Sequence, residues 1–108
     1  YAKARDVLRD RMKRAGNLPD APTYQAHHDM PWEFREWFAA HKIDVNDAQY
    51  GRWVHPDDHK RWHNENPKFN DIWEQFIYDG GGNVTDRTKE EILQKLDEMR
   101  STYQNAVP

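Results

Sequence analysis

The sequence predicts an α+β fold, mostly helical, in which a short two-stranded β-hairpin and one helix are wrapped by further helices. Three observations lead there. Apolar residues recur at helical spacing in several separate segments. Two short stretches, "YQAHH" and "YGRWVH", read as strands, the second by its β-branched and aromatic content. Histidines cluster at the first of these stretches and just after the second, and a hairpin packed on a helix would bring the two groups together.

The first helix is expected over residues 2–15, where Ala4, Leu8, Met12 and Ala15 follow helical spacing and Val7 widens the stripe. Gly16 and Asn17 supply its stop. "NLPDAPT" is a loop punctuated by two prolines, and "YQAHH" leads out of it. Pro31 fits the first turn of a helix that runs to about Ala40, with Phe34, Trp37 and Phe38 on one side. "HKIDVNDAQYG" is irregular, and "YGRWVH" follows as the second strand. Pro56 opens the next helix, with Asp57 and Asp58 in its first turn, where acids suit the helix dipole. Residues 68–78 resume helix on Phe69, Ile72, Trp73, Phe76 and Ile77. "DGGGN" is a flexible break, so the helix beyond it is a candidate appendage. That last helix starts near Thr88, where Thr88 and Glu91 form a capping box, and carries Ile92, Leu96, Met99 and Tyr103 as its stripe.

A length of 108 residues suits one domain spanning 1–108. It divides into a basic N-terminal helix (1–16), a core with an inserted helix (24–78) and a C-terminal helix (83–108). Charged residues make up 32% of the chain against 36% hydrophobic, so the core must lean on its Trp, Phe and Tyr, and a bound metal would help it. With no cysteine, any transition metal has to be held by His, Asp, Glu or Asn. No apolar run approaches the length of a membrane span. The net charge of −3 argues against a general nucleic-acid coat. Residues 1–14 nevertheless carry a local +4, so one basic face could still meet phosphate. The start at Tyr1 reads as that of a fragment cut from a longer polypeptide.

His59 and His63 stand four residues apart, so on a helix both project from one face at a separation that a single metal can bridge. His55 extends that face by a further turn or caps the helix. Taken alone, each histidine group is better explained without a site, as chance spacing on a polar surface, and only their combination shifts the balance. Asp29 either orients an imidazole or caps the helix at Pro31, and capping is the preferred reading. The tryptophans read as core before they read as base-stacking platforms. Arg5, Arg9, Arg52, Lys60 and Arg61 are candidate phosphate contacts and equally acceptable as plain surface charges.

"AHHDMP" followed by "HKRWH" resembles the His-Me finger nucleases, also called the HNH or ββα-metal superfamily. The likeness is to the AHH-type bacterial polymorphic toxin domains, with a more distant one to the DNase colicins. It covers about Arg5 to Phe76. The resemblance implies that His27, His59 and His63 bind metal and that His28 is the general base. It also implies a residue between the motifs that orients the base, for which Asn46, Asp47 and Gln49 are the candidates. It further implies one divalent cation (Zn, Mg, Mn or Ni), DNA rather than RNA as substrate, and cleavage to 5′-phosphate and 3′-hydroxyl ends. The biological setting implied is a C-terminal toxin tip, secreted or injected by a bacterium and acting in the target-cell cytoplasm. Its partner there is a cognate immunity protein, and the isolated domain is a monomer. Two other readings stand beside it: a non-catalytic binding module stabilised by histidine-ligated zinc, with His55 as fourth ligand, and a helical interaction domain without metal.

Overall fold

The structure, a computed structural model, describes residues 2–104. Tyr1 and residues 105–108, which the expected first and last segments include, lie outside them. In chain order the elements are α1 (Ala2–Arg14), β1 (Gln25–His28), α2 (Arg35–Ala40), β2 (Gly51–Val54), α3 (Pro56–Asn64), α4 (Phe69–Ile77) and α5 (Lys89–Thr102). Short 3-10 turns at Trp32–Phe34 and Ala48–Tyr50 lead into α2 and β2. The fold is α+β with a single two-stranded hairpin among the described residues, and none of their helices is long and apolar enough to cross a membrane.

β1 and β2 pair antiparallel, with Gln25 opposite Val54, Ala26 opposite Trp53, His27 opposite Arg52 and His28 opposite Gly51. The strands are joined by the segment that holds α2, so this hairpin depends on packing rather than on a tight turn. On one side α1 lies against it. Leu8 and Met12 pack with Tyr24, Ala26 and Trp53, and the Trp53 indole N–H donates to the Asn17 carbonyl oxygen at 3.0 Å. Gly51 is what lets α1 come so close, since a Cβ there would stand 2.7 Å from Met12 Sδ and 2.9 Å from Leu8 Cδ1. Helix α1 ends as its sequence predicts. Gly16 takes φ +84°, and the Gly16 and Asn17 amides donate back to Lys13 and Met12.

The larger core holds Met30, Phe38, Val54, Trp62, Phe69 and Trp73, and it takes in Ile92, Leu96 and Met99 from α5 and Tyr103 from its C-cap. The C-terminal helix is therefore no appendage. Its apolar stripe closes one side of the core, and the Tyr103 hydroxyl donates to the Pro67 carbonyl at 2.8 Å. The helix starts at Lys89, beside the Thr88 start that the sequence predicts, and the last segment's earlier residues, from 83, include Val84, which forms an isolated bridge with Tyr78. The Thr88–Glu91 capping box is present in both directions.

Candidate metal centre

The ends of β1 and the inner face of α3 make the site. Pro56 occupies the first turn of α3, and His55 is its N-cap, with the ring Nδ1 accepting from the Asp57 amide at 3.1 Å. Its Trp62 face is buried in the core. That orientation turns His59 and His63, one turn apart, toward β1, where His27 is buried.

The three rings converge. His59 and His63 centroids are 4.8 Å apart, and His27 lies 5.4 Å from His59 and 5.3 Å from His63. One ligand nitrogen from each lies within 4.8 Å of the others, a group that could hold a metal ion. His27 Nε2 and His63 Nε2 are 3.1 Å apart. Metal–nitrogen bonds of about 2.0–2.1 Å around a tetrahedral ion put two ligand nitrogens roughly 3.3–3.4 Å apart, close to that spacing.

Hydrogen bonds decide which nitrogens face inward. Asp29 Oδ1 lies 2.8 Å from His27 Nδ1. A carboxylate only accepts, so Nδ1 carries the proton and Nε2 the lone pair. Gln25 Oε1 does the same for His59, accepting from Nδ1 at 2.6 Å. Both ligands are thus held by outer partners in the tautomer that a metal needs. His27 Nε2 then accepts from His63 Nε2–H, and loading an ion requires that His63 carry its proton on Nδ1 instead.

Two of the rings, His59 and His63, are also kept neutral. Burial, then the neighbouring His27 and Arg5, pulls the His59 pKa from the ordinary 6.5 down to about 4. Burial and the neighbouring His27 and His59 bring His63 to about 4 as well. For Asp29, burial works to raise the pKa, but His27 and Arg52 outweigh it and hold the carboxyl at about 2.

His28 is placed apart from the three. Its Nε2 donates to Asn46 Oδ1 at 2.6 Å, which leaves the lone pair on Nδ1. Burial lowers its pKa, against the opposing pull of the Asn46 hydrogen bond. Of the orienter candidates, Asn46 is the one that meets His28. Asp47 instead accepts from the Gln49 amide at the turn before β2. His27, His28, His59 and His63 all line one cleft of about 460 Å³, with Trp32, Lys60 and Asn64 on its walls.

Other expected site residues fall elsewhere. His55 caps α3 and packs edge-on against Tyr24, outside the three-histidine group. Arg52 is not a plain surface charge, because its Nε donates to Asp29 and its Nη1 to the Tyr103 carbonyl. Arg61 pairs with Asp58 at 2.6 Å. Lys60 borders the cleft, Arg5 is near enough to act on His59, and Arg9 is exposed on α1. Asp29 makes no cap at Pro31. It is fully buried and turned to His27, because two arginines and an imidazole offer it better partners than backbone amides. Gln25 and Arg100 were not foreseen from the sequence. Gln25 was open to inference from the pleat, which puts it on the same face as His27.

Comparison with protein families, with curated proteins and with solved structures gives no match to this chain.

Proposed function

We propose that the chain is a metal-dependent endonuclease that hydrolyses phosphodiester bonds in DNA, in the manner of the His-Me finger nucleases that its motifs resemble. One observation carries the reading. Three imidazoles converge, and a fourth, His28, is kept out of the group by Asn46 yet lines the same cleft. A purely structural zinc site usually takes four protein ligands, and His55, the residue that would complete it, caps α3.

Three histidine ligands with open positions suit zinc, nickel or manganese better than magnesium, which prefers oxygen. Bound there, a divalent cation would supply positive charge to the phosphate and the leaving oxygen. His27, His59 and His63 hold the position. His28 acts as general base, taking the proton of the attacking water at Nδ1 while Asn46 keeps its Nε2–H directed away. His28 is 3% exposed and the Trp32 ring lies 6.0 Å from its own, so the base role requires that Trp32 give way to admit the attacking water. Lys60 on the cleft wall and Arg5 beside His59 are suited to the flanking phosphates. By the same resemblance the chain would be the toxin tip of a secreted or injected bacterial effector, acting in the cytoplasm of the target cell and countered by an immunity protein.

The test is plasmid DNA incubated with the purified protein and Zn²⁺, Mn²⁺, Ni²⁺ or Mg²⁺, with and without EDTA, beside His28→Ala. The expected outcome is metal-dependent cleavage by the parent and a loss of roughly 10²–10⁴-fold in the variant. Intact DNA with both proteins, while metal still raises the melting temperature, would leave a binding module as the better description.

A further inference from the structure

We propose that Asp29 is a positioning residue of the metal centre and that Arg100, carried by α5, holds it in place, which makes the C-terminal helix part of the site. The proposal rests on the reading of His27, His59 and His63 as metal ligands.

Asp29 follows the histidine pair and is 0% exposed. A buried carboxylate with one partner would be costly, but each of its oxygens is engaged. Oδ1 faces His27 Nδ1 at 2.8 Å, and Oδ2 accepts from Arg52 Nε at 2.5 Å and Arg100 Nε at 2.9 Å. The two guanidiniums come from different directions. Arg52 stands opposite His27 in the hairpin register. Arg100 lies 71 residues beyond Asp29, in the last turn of α5.

Each arginine has a second anchor. Arg52 Nη1 donates to the Tyr103 carbonyl at 2.7 Å, and Arg100 Nη2 donates to the Gln49 carbonyl at 2.9 Å. The carboxylate is thereby fixed by β2, by α5 and by the turn before β2. Its remaining oxygen then fixes both the tautomer and the ring plane of His27. An outer partner of this kind sets the direction of the ligand lone pair, and losing one typically weakens metal binding roughly 10–100-fold. A planar guanidinium suits the task because it can satisfy Asp29 and Gln49 together, which a lysine ammonium does in one geometry less readily.

The same contacts could serve only as a staple for the fold, so the test separates the two roles. Zn²⁺ and Co²⁺ affinity is measured by calorimetry, the visible spectrum of the Co²⁺ form is recorded, and melting is followed in EDTA. The variants are Asp29→Asn, Arg100→Gln and Arg100→Lys. Lys95→Gln, which removes another ion pair of the same helix, is the control. The expected result is a loss of roughly 10–100-fold in affinity for Asp29→Asn, a smaller loss for Arg100→Gln that Arg100→Lys partly restores, an altered Co²⁺ spectrum in both, and no change for Lys95→Gln. Should Asp29→Asn fail to fold, Arg100→Gln alone decides, because its side chain is partly exposed. Lower melting temperatures with unchanged affinity and spectrum would reduce the network to a staple and overturn the proposal. A parent that binds neither ion would overturn the metal reading itself.

Discussion

The histidines of β1 and those of α3 obey opposite rules. His27 and His28 are neighbours in the chain, yet they take different partners, His63 and Asp29 for the first and Asn46 for the second. His59 and His63 are four residues apart and meet at 4.8 Å. A strand alternates its side chains and so gives adjacent residues two tasks, whereas a helix returns to the same face and gives spaced residues one task. The comparison is broken most severely by exchanging the tasks. His27→Ala is expected to weaken Zn²⁺ binding by more than the roughly 10–100-fold that loss of an outer partner costs. His28→Ala is expected to leave that affinity nearly unchanged while lowering cleavage roughly 10²–10⁴-fold. Calorimetry on both variants checks this, and a comparable loss of affinity in each would mean that His28 also belongs to the ligand set.

This contrast also marks what could be read from the sequence. Periodicity finds α1, α4 and α5 because their apolar stripes bury one face, and turn chemistry marks the end of α1 at Gly16 and the starts of α3 and α5 at Pro56 and Thr88. The pairing of His59 with His63 follows from spacing alone. The meeting of α3 with β1 does not, since it depends on α1 and the core seating the hairpin. Asp29 was legible as a residue and misread in its role. Locally it looks like a cap before Pro31, and only Arg52 and Arg100, brought in from distant segments, make burial of its charge favourable. The placing of α5 against the core was hidden by the glycine run, which marks a flexible local sequence and carries no information on what the following stripe packs against.

Gly51 sharpens the comparison from the strand side. It stands opposite His28 in the register and leaves room for Leu8 and Met12 of α1. Gly51→Ala would drive a methyl group to 2.7 Å from Met12 Sδ, so the buried Met12 and Leu8 side chains have to repack. Overpacking of this kind costs about 1–3 kcal/mol, expected as a lower urea midpoint for the metal-free protein. Where that repacking is incomplete, β1 shifts while α3 stays seated on Trp62, and Zn²⁺ affinity is expected to fall as well. A variant that loses stability and keeps full affinity would show that the strand arm tolerates movement.

The smallest expected effect distinguishes the helix pair by pH. His59 and His63 have pKa values held at about 4 against an ordinary 6.5. In the unfolded chain these rings take up protons near the ordinary value, and in the folded one they wait until about 4. Between those values the unfolded state binds more protons, so falling pH favours unfolding. The stability tied to these two rings is therefore complete above 6.5 and declines progressively toward 4. Asp29 acts in a lower window, from its ordinary 3.8 down to about 2, and so is separable. Urea titrations in EDTA at steps of pH are expected to show the first decline in the parent and a shallower one in His59→Gln with His63→Gln. An unchanged slope in that double variant would assign the acid sensitivity to His28, where burial lowers the pKa in the same direction.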